Sequence, residues 1–220
     1  MEKLILALDC SLRWTNVAVF SGGDVLASER LDIGRRQAAE LPIIVRNALS
    51  DAGRSFGRVG LLAVTNGPGY FTGIRVGVSY AAALAYGLGV KVAPVSTLHM
   101  LAGPLAKTPA LVAVYAGRER VYAASFGHVG RGDGEKLPAG EYGREEIERW
   151  LLRHEDAAVI SDDPEKTFLP NLLPGLGREA LTVYPDASEV ARIAWHDPGA
   201  AVHPMELRVS YHRSPLTPGN

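Results

Sequence analysis

A glycine-rich stretch in the first half of the chain is the segment whose residue types most suggest ligand chemistry. It reads TNGPGYFTGIRVG over residues 65–77 and contains Gly67, Gly69, Gly73 and Gly77. An apolar run precedes it and an alanine-rich run follows it, which predicts a strand before the loop and a helix after it. Glycine loops in this position commonly bind phosphate through backbone N–H groups at the start of the helix.

The stretch matches neither of the two common phosphate-binding patterns. A P-loop requires Lys and then Ser or Thr after its last glycine, whereas Ile74 and Arg75 follow Gly73. The dinucleotide fingerprint requires a third glycine at the position that Thr72 occupies. Pro68 also removes one of the backbone donors that would surround a phosphate. Phosphate binding by either pattern is therefore not predicted.

The glycines continue into the predicted helix as a stripe of small residues. Gly73, Gly77, Ala81 and Ala85 are four residues apart, so they lie on one face of the helix. Each glycine inside a helix costs about 1 kcal/mol relative to alanine, which indicates that a close contact is made along this face. The stripe can pack against the chain's own sheet or against a second protein, and the spacing alone leaves both interpretations open.

Metal-ligating and nucleophilic residues are few and poorly spaced for catalysis. Cys10 is the only cysteine, which excludes an internal disulfide and a multi-thiolate metal site. Ser11 has no His or Asp partner in its motif. No two histidines are three or four residues apart, so no helical pair of metal ligands is predicted. The histidines are His99, His128, His154, His196, His203 and His212. The sequence thus predicts no catalytic residue and no metal site.

The hydropathy pattern around these residues predicts an α/β protein. Apolar runs predict buried strands at 4–9 and 59–65, with a β-hairpin around 21–24 and then a helix between them. A helix over 72–88 follows the glycine loop. The second half alternates strands with helices at 143–154 and 186–196, which favours a mixed sheet in each half.

We therefore expect two lobes, residues 1–103 and 104–220, with the last residues either flexible or returning to the first lobe. The net charge of −1 gives no overall attraction to nucleic acid or to an anionic membrane, so direct binding of nucleic acid is disfavoured. The first lobe carries a slight excess of base and the second an excess of acid. Without a run of 18 apolar residues or a signal-peptide pattern, the sequence predicts a soluble cytoplasmic protein that does not bind membranes.

Residues 66–102 resemble the signature of the TsaB (YeaZ) family, whose usual form is G-P-G-S-F-T-G-L/I-R-I/V-G. Tyr70 stands in place of the usual serine. The stretches LILALDCS and RERVYAASF resemble the family's first strand and its arginine-bearing hairpin. HPMELR resembles a late family element, with Glu206 at the usual tyrosine. The resemblance covers the first 130 residues well and the remainder thinly.

This resemblance implies an actin/Hsp70/sugar-kinase-like (ASKHA) fold with a small or degenerate second lobe. It implies a non-catalytic partner and activator of TsaD, a paralogue, in forming N6-threonylcarbamoyladenosine at position 37 of tRNAs that read codons beginning with A. A TsaE-like ATPase would act on this heterodimer, and tRNA would be reached through the complex. A homodimer is the expected alternative assembly when the chain is alone. No cofactor is expected on the chain alone, whereas ATP or ADP is compatible with the complex.

The resemblance also implies which residues contact the partner. They are Arg36, Gly73, Ile74, Gly77, Tyr80, Ala81 and Ala85. Arg36 stands where relatives usually have a histidine six residues before the helix proline. On this interpretation, Gly77→Leu is expected to disrupt association with TsaD more than folding.

Asp9 and Ser11 are candidates for a residual nucleotide contact, because nucleotide-binding members of the superfamily place an acid after the first strand. The alternative is that Asp9 accepts hydrogen bonds from the backbone of the turn around Ser11. A rival function is an autonomous ATP-dependent phosphotransferase of the same fold. Such an enzyme would need an acid and a glycine turn in the second lobe, and the hairpin AVYAGRER offers neither an Asp nor a Gly-Gly pair.

Overall fold

The computed structural model describes residues 4–103, 109–117, 119–127 and 136–211. The chain divides into two compact units: Met1–Met100 with Pro185–Ser210, and Leu101–Tyr184 with Tyr211–Asn220.

The strands in chain order are β1 (Leu4–Asp9), β2 (Thr15–Ser21), β3 (Asp24–Leu31), β4 (Val59–Thr65), β5 (Val92–Val95), β6 (Ala110–Gly117), β7 (Arg120–Phe126), β8 (Gly140–Gly143), β9 (Ala158–Ser161) and β10 (Ala180–Thr182). The helices are α1 (Gln37–Asp51), α2 (Phe71–Leu88), α3 (Thr97–Ala102), α4 (Arg144–Arg153), α5 (Leu169–Leu172) and α6 (Ala187–His196).

The first unit is built on a mixed five-stranded sheet in the order β3-β2-β1-β4-β5. β1 pairs antiparallel with β2 and parallel with β4, and every residue of β1 is buried. A continuous apolar strand of this kind is typical of the centre of a sheet that is covered on both faces. The sheet therefore provides the rigid layer on which the glycine loop and its helix are placed.

Helices cover both faces of this sheet. One core contains Leu6 and Leu8 of β1 together with buried residues of α1 and α2, such as Leu41 and Val78. Because successive strand residues point to opposite faces, the neighbouring residues of β1 and β2 point away from that core. α6 packs against β1 and β2, where the rings of Phe20 and Trp195 lie 6.0 Å apart.

Pro42 lies inside α1, and the helix begins five residues before it. Proline has no N–H, so the carbonyl group of Ala38 lacks its usual helical donor. Both Ala38 and Pro42 are exposed, which leaves this carbonyl group on the outer surface of the helix.

The second unit repeats the strand order of the first. Its sheet runs β8-β7-β6-β9-β10, with β6 antiparallel to β7 and parallel to β9. α4 and α5 contribute to its apolar core, which includes Ile147, Trp150 and Leu169. The duplicated arrangement confirms the predicted fold class: α/β, with a mixed sheet in each of two related lobes of the ASKHA type.

Two features of the organisation differ from the sequence-based expectation. β8 and β10 were not predicted, because both are short and neither contains a fully buried residue. Residues 104–220 were expected to form the second lobe, with the last residues either flexible or returning to the first lobe; residues 185–210, including the whole of α6, belong to the first unit, so the returning segment is longer than a short tail. α6 carries a buried apolar face, including Val190 and Ala194, and the sheet of the first unit covers it. The predicted unstructured tail, residues 214–220, lies outside the described residues.

None of the helices in the described parts of the chain has the length and apolar character needed to cross a membrane.

Asp162, which follows β9, makes the stability of the protein depend on pH. Burial raises the pKa of its carboxyl group from 3.8 to about 6. The folded state therefore holds this proton more tightly than the unfolded state, and the associated stability is lost as the pH rises from about 4 to about 6. Asp162→Asn is expected to raise the free energy of unfolding at pH 7 by about 2 kcal/mol, and by little at pH 4.

Urea unfolding of the wild type and Asp162→Asn at pH 4, 5.5 and 7 measures this difference. Asp51→Asn is the matched control, because Asp51 is an exposed carboxylate at the end of α1. Identical pH profiles for Asp162→Asn and the wild type would contradict the prediction.

Candidate functional site

The glycine loop is held against the chain's own backbone. The Tyr70 N–H donates to the carbonyl oxygen of Ser11 at 2.7 Å, and the Thr97 N–H donates to that of Gly67 at 2.9 Å. A Cβ atom at Gly69 would overlap the Ser11 carbonyl group. Glycine is thus required at this position because the β1–β2 turn occupies the space of a side chain.

The segment after α6 covers the same loop from another side. The Ser210 N–H donates to the carbonyl oxygen of Asn66 at 2.8 Å, and the Asn66 side-chain amide donates to that of Arg208 at 3.1 Å. A Cβ atom at Gly67 would lie 2.6 Å from the Ser210 carbonyl oxygen. Of the loop's backbone donors, the Asn66 N–H is bonded to the carbonyl oxygen of Val95 at 3.0 Å and the Tyr70 N–H to that of Ser11, so both are used within the protein.

Asp9 is fully buried at the centre of a hydrogen-bond network. Its Oδ1 accepts from the Ser11 N–H at 3.0 Å, from the Ser11 hydroxyl group at 2.5 Å and from the Thr65 hydroxyl group at 2.6 Å. Its Oδ2 accepts from the Asn16 amide at 2.8 Å. The carboxylate therefore ties together the ends of β1 and β4 and the start of β2.

This network favours the structural interpretation of Asp9 over the nucleotide contact. Asp9 and Ser11 are both 0% exposed, and each already hydrogen-bonds the other. A nucleotide would reach these side chains only if the residues that bury them moved. Their role in a nucleotide contact stays a prediction.

Removal of the Asp9 carboxylate is expected to destabilise the fold severely. Asp9→Ala leaves the buried donors of Ser11, Asn16 and Thr65 without their acceptor. Each unsatisfied buried group costs about 1–3 kcal/mol, so the total loss is expected to be about 3 kcal/mol or more. Thr65→Val, which removes one donor and keeps the side-chain shape, is expected to cost about 1 kcal/mol.

Denaturant unfolding of Asp9→Ala and Thr65→Val tests this ranking. If Asp9→Ala were as stable as the wild type, the carboxylate would not be the centre of the network, and a ligand-binding role would regain support.

The stripe of small residues on α2 faces the protein's own core. A Cβ atom at Gly73 would overlap the carbonyl oxygen of Cys10. A Cβ atom at Gly77 would lie 3.4 Å from Cys10 Cβ. Ala81 and Ala85 are fully buried in the same core. The stripe lets the helix approach the strand that ends in Asp9 and the turn after it.

This placement corrects most of the predicted partner interface. The prediction that Gly73, Ile74, Gly77, Ala81 and Ala85 contact a partner is wrong, because all five are buried within the first unit. The expectation for Gly77→Leu is revised accordingly: a leucine would be forced against Cys10 and Val64, so the substitution is expected to impair folding first.

The opposite face of α2, together with the neighbouring face of α1, forms an open groove. The cavity has a volume of 560 Å³, and we name it the α1–α2 groove. Its lining consists of Ala38, Leu41, Phe71, Thr72, Arg75, Val76, Ser79 and Tyr80. The lining is mostly apolar, and Arg75 is its only charged member among the described residues.

Phe71 and Arg75 mark the exposed rim of the α1–α2 groove. Phe71 is 56% exposed, and the Arg75 guanidinium lies 3.8 Å from the centroid of its ring. Tyr80, at the other end, is half-buried, and desolvation raises the pKa of its hydroxyl group. Of the predicted interface residues, Tyr80 lines this groove, and Arg36 lies exposed before α1 in an ion pair with Glu40 at 3.2 Å.

Sequence reasoning missed Phe71, Arg75 and Ser79 as surface residues. They are four residues apart, on the side of α2 opposite the small stripe. A large aromatic residue on the face opposite the glycines was the available signal, because one face of the helix had to remain outside the core.

Cys10 offers no reactive thiolate at this site. It is buried beneath α2, and burial together with the neighbouring Asp9 raises the pKa of its thiol far above the ordinary value. Within the described ranges, no three His, Cys, Asp or Glu side chains converge as metal ligands.

Comparison with known proteins places this geometry in a family. The model of the family described as "TsaD: tRNA N6-adenosine threonylcarbamoyltransferase" matches residues 32–172. The chain is 23% identical to the tRNA threonylcarbamoyladenosine biosynthesis protein TsaB of Buchnera aphidicola subsp. Acyrthosiphon pisum, over 79% of this chain and 80% of that protein. It is 35% identical to TsaB of Escherichia coli K12, over 56% of this chain and 54% of that protein.

A solved structure has the same fold. YeaZ from Pseudomonas aeruginosa is 25% identical and superposes with a TM-score of 0.71, covering 95% of this chain and 99% of that one. The sequence match to the Escherichia coli protein spans only about half of that relative's length. The chain thus belongs to the TsaD-related family of threonylcarbamoyladenosine proteins and, within it, to the TsaB (YeaZ) group.

Proposed function

We propose that this chain is a non-catalytic partner that activates a TsaD-like paralogue in forming N6-threonylcarbamoyladenosine at position 37 of tRNAs that read codons beginning with A. Family membership supports a role in tRNA threonylcarbamoyladenosine biosynthesis. The observation that carries the proposal of a docking role is the α1–α2 groove, an apolar surface on two adjacent helices. Because the proposed substrate is tRNA, we propose that the protein acts in the cytoplasm.

The α1–α2 groove suits a partner that presents helices. Its walls are two neighbouring helices, and its lining is largely apolar with small side chains such as Ala38 and Ser79. A paralogue with the same fold would offer an equivalent helix pair, and two such pairs can pack as a four-helix bundle. A second copy of this chain would offer the same surface, which supports a homodimer when the paralogue is absent.

The absence of a catalytic role is supported by how the glycine loop and Asp9 are used. Group transfer requires an activated electrophile held beside the adenosine amine and groups that stabilise developing charge. Here Asp9, the last residue of β1, accepts four hydrogen bonds from within the protein, and the Tyr70 N–H of the glycine loop is bonded to the carbonyl oxygen of Ser11. The same closure disfavours an autonomous ATP-dependent phosphotransferase. We propose that any ATP or ADP is bound only in the complex.

Reconstitution of tRNA modification tests the proposal. The chain is combined with unmodified tRNA and threonylcarbamoyl-adenylate, with or without a TsaD-like protein, a TsaE-like ATPase and ATP. Mass spectrometry of the digested tRNA then measures modified adenosine. We expect product only when both the chain and the TsaD-like protein are present. Product formed by the chain without the TsaD-like protein, or by the TsaD-like protein and TsaE alone at the full rate, would refute the proposal.

A further inference from the structure

The second unit contains a basic cavity that the proposed docking role does not use. Its volume is 330 Å³, and we name it the α4 pocket. Three basic side chains line it: Lys136 from the segment before β8, and Arg149 and Arg153 one turn apart on α4. Tyr142 of β8 and Trp150 of α4 contribute aromatic rings to the same lining.

The aromatic part of the α4 pocket is held in place within the unit. The Tyr142 hydroxyl group donates to the carbonyl oxygen of Pro138 at 2.8 Å. Trp150 is only 6% exposed, and its ring stacks on that of His154 at 4.1 Å between centroids. Desolvation and the nearby Glu146 raise the pKa of the Tyr142 hydroxyl group, so the phenol is uncharged at neutral pH. The pocket therefore has a preformed aromatic wall beside exposed cationic side chains.

The charge in the α4 pocket favours an anionic ligand. Glu146 is its only acidic lining residue among those described, and its Oε2 already accepts the Gly143 N–H at 2.8 Å at the start of α4. Lys136 and Arg149 are exposed, and neither forms an ion pair with another described residue. This local excess of base lies in the half of the sequence that carries an excess of acid.

We propose that the α4 pocket binds the phosphate backbone of RNA, with the Tyr142 ring as a stacking surface for a neighbouring base. Cationic side chains beside accessible aromatic rings are the usual means by which proteins bind single-stranded or looped RNA. Tyr142, which is partly exposed, is the aromatic ring that this pocket leaves accessible, since Trp150 is buried. Arg149 and Arg153, one helical turn apart, and Lys136 from the segment before β8 offer several cationic contacts. A chain of phosphates can use them all, whereas a single small anion needs fewer. That the RNA is tRNA rests on the proposed function.

This assignment revises the sequence-level argument against direct RNA contact. The net charge of −1 averages over the whole surface. It does not show that the fold brings three basic side chains together, those of Lys136, Arg149 and Arg153.

Binding of an unmodified tRNA transcript to the full chain tests the proposal. Fluorescence anisotropy at several salt concentrations gives the slope of log Kd against log salt, which reports the number of phosphates that the protein neutralises. The double substitution Lys136→Gln with Arg149→Gln is expected to lower the magnitude of this slope by about 0.7 to 0.9 for each phosphate that is no longer neutralised. Arg144→Gln with Lys166→Gln removes the same charge from the same unit, outside the pocket, and is expected to leave the slope unchanged.

A second arm separates polymer binding from the capture of a free nucleotide. Tyr142→Ala is expected to weaken tRNA binding without changing the salt slope, since stacking is not ionic. Equal slopes for the pocket variant and its control, or no salt-dependent binding by the wild type, would overturn the proposal. The proposal would also be overturned if AMP displaced tRNA at an AMP concentration equal to the concentration of tRNA phosphates. That result would assign the pocket to a mononucleotide.

The experiment can fail independently of the proposed function. Co-elution with a TsaD-like protein tests the α1–α2 groove and involves none of the residues substituted here. If the pocket variant still joins the paralogue but binds tRNA as well as the wild type does, the inference fails and the docking role stands.

Discussion

Ser79→Lys is expected to prevent the chain from joining a TsaD-like paralogue while leaving its own fold intact. Ser79 is exposed on α2 and lines the α1–α2 groove. A lysine there adds a second cation one turn from Arg75, in a lining that the structure shows without a carboxylate. Docking would bury this charge without a partner, which costs about 3–5 kcal/mol and corresponds to a loss of affinity of about 100-fold or more.

Ser50→Lys provides the matched control for this substitution. Ser50 is also an exposed helical serine, but it lies near the end of α1 and outside the groove lining. Size-exclusion chromatography and isothermal titration with the paralogue measure association, and circular dichroism measures folding. If Ser79→Lys bound the paralogue with the affinity of the Ser50→Lys control, the α1–α2 groove would not be the docking surface.

Gly73→Ala is expected to destabilise the isolated chain by about 3 kcal/mol, although the same change in an ordinary helix stabilises it. The added methyl group would overlap the carbonyl oxygen of Cys10, which is a backbone atom and has no rotamer by which to move away. To relieve the overlap, α2 must shift away from the turn that follows β1. That shift would also disturb the Asp9 network, because Ser11 belongs to the same turn.

Gly87→Ala is the control for Gly73→Ala on the same helix. No atom lies within 4 Å of a Cβ built at Gly87, so alanine there is expected to stabilise the chain by up to about 1 kcal/mol. Urea unfolding of both variants measures the difference. A stabilising effect of Gly73→Ala would show that α2 does not approach the β1–β2 turn as closely as the structure places it.

These two substitutions separate folding from assembly on a single helix. Gly73→Ala is expected to lower complex formation only to the extent that the chain unfolds. Ser79→Lys is expected to abolish the complex in a chain that unfolds at the wild-type denaturant concentration. We thus expect one face of α2 to stabilise the fold and the other to bind the paralogue. A series of substitutions along the helix, with stability and binding measured for each, can separate the two.

The sequence by itself determined the fold class and the position of the central helix. Apolar runs with the spacing of strands and helices predicted a helix over 72–88, and α2 spans Phe71–Leu88. Local backbone preferences and the alternation of apolar residues act over a few positions, so they can be read from the chain directly. The glycine signature likewise identified the family before any contact was known.

Only the tertiary structure decided what each face of that helix contacts. The spacing places Gly73 and Gly77 on one side of α2. It does not say which segment packs there, because the backbone of any segment can approach a helix face that has no side chains. The turn after β1, which fills this space, is about 60 positions away in sequence, and Ser210, which packs on Gly67 in the loop before the helix, is more than 130 positions away. The same holds for Lys136 and Arg149, which become neighbours only when β8 and α4 are in place. Contacts between distant segments depend on how whole elements pack, and local periodicity carries no information about them.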